Sequence, residues 1–115
     1  MYNLDDLDRV RLIQTKIAYI LDICNNGITK ALADEKTDRP AILMHLASIA
    51  EQFAKIKDIG ILSHFDKDDI KGAIDTRNFI AHDYEGINMP IIELIIRERL
   101  PVLQNAIENI LNHTT

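Results

Sequence analysis

The chain has 115 residues and a formal net charge of -5, from 18 acidic against 13 basic side chains. That balance excludes the broad cationic surface on which non-specific nucleic-acid binding depends, so any phosphate chemistry must be local. The composition, 47% apolar and 27% charged with a single cysteine, is that of an ordinary globular protein without a disulfide framework.

No apolar run reaches the length of a membrane span, and the acidic start MYNLDDLD is unlike a signal peptide. The expectation is a single cytoplasmic domain over residues 1–115 with no membrane partner. Asn3 is placed to cap a first helix, with Asp5, Asp6 and Asp8 at the positive end of its dipole. Its apolar stripe is Leu7, Val10, Ile13, Ile17, Ile20, Leu21 and Cys24, and Gly27 closes it in a left-handed cap. Residues 28–39 are polar and weakly helical, which predicts a short helical turn inside a connection.

A second helix starts near Asp38 and Pro40, buries Ile42, Leu43, Leu46, Ile49, Ala50, Phe53 and Ile56, and stops at Gly60. Asp66 opens a third helix, with Asp69 as a weak capping-box analogue, and that helix ends by Gly86. The last helix begins around Pro90, where a missing N–H costs nothing. Its apolar stripe shifts across Pro101, from Ile92, Ile95 and Ile96 to Leu103, Ala106, Ile107 and Ile110, which predicts a kink. The fold class is all-α: an antiparallel bundle of four main helices plus a short helical turn.

Residues 77 to 84 read RNFIAHDY. The stripe of Ile70, Ala73 and Ile74 continues through Ile80 and Ala81, but Arg77 and Tyr84 interrupt it. A guanidinium on an inward stripe needs a partner, a cleft or a second chain. On a continuous helix Arg77 and Tyr84 share one line and Asn78 and His82 the next, so all four would project from a sector about a quarter-turn wide. The sector offers a fixed cation, a group that titrates near neutrality, an amide and a phenol. It holds no acceptor cluster for magnesium and no Cys/His pairing for zinc, so neither metal nor cofactor is expected. Arg can grip phosphate oxygens and His can move a proton.

Against this stands the plainer reading that a short R-x4-H pattern arises by chance and serves packing or interface pairing. Glu51 is a candidate supporting residue that could orient Arg77 or His82 through an ion pair, or simply a solvated position. His45, His64 and His113 read as surface or interface residues, and Cys24 as small core rather than nucleophile.

The octapeptide resembles the R-x4-H-x-Y signature of HepT-like proteins in the HEPN superfamily. AILMHLASIAEQFAKI resembles that family's second helix, with Ala50 where glycine is usual. FDKDDIKGAIDTRN resembles the lead into the motif, without the tryptophan often found there, and IIELIIRERLPVLQNAIENIL resembles the final helix. The resemblance implies a toxin of a type II- or VII-like toxin–antitoxin pair: an all-helical homodimer that cleaves RNA, such as tRNA or mRNA, without metal at a composite site between protomers. It implies that Arg77 and His82 are the catalytic pair, that Asn78 is the polar residue commonly following the Arg, and that Tyr84 is the tyrosine to which a cognate minimal nucleotidyltransferase antitoxin attaches AMP. The alternative is a non-catalytic helical subunit that binds nucleotide or docks a nucleotidyltransferase, and a simple dimerising bundle is the third reading.

Overall fold

A computed structural model describes residues 1–112; His113 lies outside the described residues. Helix α1 spans Leu4–Ile23, and the Asn3 side chain caps it by accepting the Asp6 N–H at 2.9 Å. Leu7, Val10, Ile13, Ile17 and Ile20 are buried along one stripe, and Cys24 is buried in the 3₁₀ turn Cys24–Asn26 that follows. Gly27 has φ 121° and ψ 134°, so the expected left-handed helical cap is not what ends α1. Gly27 instead takes an extended positive-φ conformation, open in practice to glycine alone, and its carbonyl starts the next helix by accepting the Ala31 N–H. That helix, α2 (Ile28–Ala33), is the short turn expected within the connection.

Helix α3 runs Asp38–Lys55 and buries Ile42, Leu43, Leu46, Ile49, Ala50 and Phe53. It stops before Gly60, contrary to expectation. The reason is Asp6, which is 3% exposed and whose Oδ2 accepts the Lys57 and Asp58 N–H groups at 3.0 and 2.8 Å. Those bonds draw the chain out of the helix with Ile56 extended but still buried. Asp58 then caps α4 (Ile59–Leu62), and Gly60 sits inside it.

Helix α5 spans Lys67–His82 and is capped by Asp66, which accepts the Asp68 N–H at 2.8 Å. Asp69 does not complete a capping box; its carboxylate is taken by Arg99. None of the α5 residues is fully buried. Ile70, Ala73 and Ile80 are half-buried against the core, whereas Ala81, expected on that stripe, is exposed. The helix ends before Gly86, as expected, but already at His82, because Asp83 leaves helical geometry at φ -151° and a 3₁₀ turn, Tyr84–Gly86, follows.

Helix α6 (Met89–Leu94) is capped by Asn88 and holds Pro90 in its first turn, as its sequence requires. The five residues Ile95–Arg99 form a π-helical segment, and α7 completes the element over Leu100–Asn112. A widened turn, rather than a measured bend, is what marks the approach to Pro101. Proline cannot donate to the Arg97 carbonyl, and the Leu100 N–H reaches back to Ile95 in a wider turn. Ile92, Ile96, Leu100, Leu103, Ile107 and Ile110 are then all buried. Helix α1 packs on α3 and α7, and α3 on α5, giving the all-α antiparallel bundle of four main elements. Among the described residues no helix is long and apolar enough to cross a membrane.

Candidate functional site

Arg77, Asn78 and His82 occupy the last turn and a half of α5, one to six residues before its helical bonding ends. Five residues at about 100° each set Arg77 and His82 about 140° apart around the helix, so the quarter-turn sector expected from the sequence is too narrow. Burial agrees: Arg77 is half-buried, whereas Asn78 and His82 are exposed. The Arg77 Nη2 donates a hydrogen bond to the Asn78 Oδ1 at 3.3 Å.

Tyr84 is not on the Arg77 line. The break at Asp83 carries it into the 3₁₀ turn, where the residue is 37% exposed. Asp83 closes α5 by donating its N–H to the Phe79 carbonyl at 2.8 Å, and its own carbonyl accepts the Gly86 N–H at 3.1 Å. The Asp83 carboxylate lies over Gly86 so closely that a Cβ there would come within 2.2 Å of Oδ2. Glu51 is exposed and makes no ion pair with Arg77 or His82, so of its two readings the solvated position is the one the structure shows. Arg77 has no ion-pair partner, and His82 neither hydrogen bond nor ion pair, among the described residues. Both keep their polar capacity for something outside the fold.

The other sequence candidates are accounted for inside the chain. His64 Nε2 bonds the Tyr2 hydroxyl at 2.9 Å. His45, half-buried rather than a surface group, packs against Tyr19 with ring centroids 5.3 Å apart and planes tilted by 49°, and its Nδ1 is buried and unpaired. Burial, with the Lys16 charge nearby, lowers its pKa and keeps the imidazole neutral. The Cys24 thiol is pushed up by burial and then by the Asp38 charge, the opposite of an activated nucleophile. Among the described residues no cluster of three or more His, Cys, Asp or Glu side chains could hold a metal ion.

Beside the motif a groove of about 450 Å³ opens between α5 and the last helix. Leu46 and Ile49 of α3 form its floor, Gly72 and Phe79 one wall, and Ile91 and Ile95 the other. Arg77, Asn78, His82 and Tyr84 lie outside its lining. Sequence reading missed this feature. Its signals were a glycine in mid-helix and a phenylalanine seven residues on, inside a polar motif.

Residues 10–110 match the family model described as ribonuclease HepT-like. The chain belongs to this ribonuclease HepT-like family. The match takes in every main helix, from the middle of the first stripe to Ile110, so it covers the whole bundle rather than the octapeptide alone. Among curated proteins and among solved structures nothing matches the chain. Membership in the HepT-like family agrees with the all-α bundle and makes RNA the substrate class against which Arg77 and His82 are to be weighed.

Proposed function

We propose that this HepT-like chain is the toxin of a toxin–antitoxin pair, a metal-independent endoribonuclease that works as a homodimer in the cytoplasm, with its site at the protomer interface. The observation that carries the reading is the unspent polar capacity of Arg77 and His82 on a helix that buries no residue fully. An arginine held only by a neighbouring amide is free to bind a phosphate through its fork.

In the reaction His82 removes the proton of a ribose 2′-hydroxyl, and the 2′-oxygen attacks the adjacent phosphorus. The bond to the 5′-oxygen breaks, that oxygen takes up a proton, and a 2′,3′-cyclic phosphate remains. Arg77 stabilises the charge that builds on the non-bridging oxygens, and Asn78 holds the guanidinium in place for it. Side chains supply both the cation and the base, so the chemistry needs no metal ion.

Control falls to Tyr84. A nucleotidyltransferase antitoxin joins the Tyr84 phenol oxygen to the α-phosphorus of ATP and releases pyrophosphate. The exposure of Tyr84, in a turn two residues after His82, supports this role. A tethered AMP would compete with RNA at high effective concentration. The test is cleavage of tRNA by the pure protein in EDTA, with His82→Ala as control. Activity should persist in EDTA and fall at least about 100-fold in the variant. Loss of cleavage in EDTA, or products bearing 5′-phosphates, would refute the mechanism.

A further inference from the structure

Gly72 sits in the interior of α5, where glycine weakens a helix relative to alanine. Nothing inside the protomer requires it. A Cβ built there would have no heavy atom of the surrounding protein within 4 Å. The space it leaves is part of the groove. Seven residues on, and on nearly the same line of the helix, Phe79 is 55% exposed on the rim of that groove. One face of α5 therefore carries both a vacancy and an apolar group without a place to go.

We infer that the groove is filled by α5 of a second copy of this chain, antiparallel to the first, with Phe79 of each protomer seated over Gly72 of the other. The inference rests on the homodimer proposed above and assigns its contact surface. In a twofold pair the same patch meets itself, so a surface that holds both knob and hole satisfies both at once. An axis between Asp75 and Thr76 brings residue 79 opposite residue 72 on both sides. The absent side chain at Gly72 lets the partner ring approach the backbone.

Area also requires the whole groove rather than one helix. A stable interface takes about 800 Å² from each partner. The 16 residues of α5 make a ridge about 24 Å long and about 10 Å wide, which falls well short. The opposite wall adds apolar surface to it, because Ile91 is 53% exposed there. An RNA occupant is disfavoured, since Asp68, Asp69 and Asp75 line the groove and only Arg99, already bonded to Asp69, opposes them. Asp75 near the axis has its charge covered by Lys71 at 2.8 Å. His82, one turn beyond Phe79, reaches the edge of the contact, which is where the proposed site needs it.

Light scattering and disulfide trapping test this together. The wild type should have twice the 13.1 kDa mass of the chain at micromolar concentration. Phe79→Asp and Gly72→Gln should each raise the dimer dissociation constant at least about 100-fold while the helical circular dichroism stays unchanged. A Cβ at Gly72 meets open space and Phe79 is more than half exposed, so neither substitution removes a core residue. Mixing Gly72→Cys protein with Phe79→Cys protein under mild oxidation should trap a covalent dimer, because opposed positions at such a contact meet disulfide geometry. Cys24 is buried and does not compete. A wild-type monomer would overturn both this inference and the dimer proposed above. A wild-type dimer that both substitutions leave intact, with no trapped species, would overturn the α5 register alone.

Discussion

The Arg99 guanidinium grips the Asp69 carboxylate with two parallel bonds, Nε to Oδ1 at 2.7 Å and Nη2 to Oδ2 at 2.6 Å. The pair ties α5 to the π-helical segment across the groove and fixes how wide the groove stands. The Asp69 side chain is 9% exposed and that of Arg99 41%, so the bond is only partly screened by water.

Removing one partner should therefore destabilise more than losing a surface salt bridge does. Asp69→Ala should lower stability by about 1–2 kcal/mol, since a charge-assisted pair is broken and Arg99 keeps access to solvent. Urea unfolding would report it as a lower midpoint at unchanged slope. A variant indistinguishable from wild type would mean that the groove walls are held by apolar packing alone.

Asp6 should govern acid sensitivity. Burial pushes its carboxyl up, but the backbone N–H groups of Asp58 and Lys57 and then Arg9 outweigh that, and the pKa lies below the ordinary value. A lowered folded-state pKa stabilises fully above the unfolded value, about 3.9, and that stability disappears as pH falls through the folded one. Wild-type stability should therefore drop steeply below about pH 4. Asp6→Asn should flatten that drop and cost about 2–3 kcal/mol at neutral pH, because the amide cannot satisfy both N–H groups and Arg9 together. Equal acid slopes in the two proteins would remove Asp6 from the account.

Arg77→Lys isolates the fork. An ammonium keeps the charge but cannot take two phosphate oxygens side by side or reach Asn78 in the same plane. Cleavage of tRNA should slow by about 10- to 100-fold, mostly in kcat, because the missing bonds belong to the transition state. A full-rate lysine variant would reduce the role of Arg77 to bulk electrostatics.

Tyr84→Phe separates regulation from catalysis. The ring stays in its turn, but the oxygen that would accept AMP is gone. Cleavage should be within about twofold of wild type, and a nucleotidyltransferase antitoxin with ATP and magnesium should no longer silence it. Mass spectrometry that found AMP on another residue would reassign the acceptor.

What the amino-acid sequence determined by itself was whatever depends on neighbours within a few turns. Asn3, Asp66 and Pro90 marked helix starts because capping is a local matter of side chain and backbone. The apolar stripes named most of the core, since periodicity decides which face is buried. Contacts between distant segments decided the rest. Helix α3 ends at Lys55 because a carboxylate 51 residues earlier takes the Lys57 N–H, and no window around Lys55 contains that acceptor. Tyr84 left the Arg77 line because the backbone turns at Asp83, whose side chain packs over Gly86, and a helical projection cannot foresee its own end. The groove needed α5, α3 and the last helix to be brought together before Gly72 and Phe79 could be read as a hole and a knob. Local propensity chooses the elements, and the space between them exists only after they have packed.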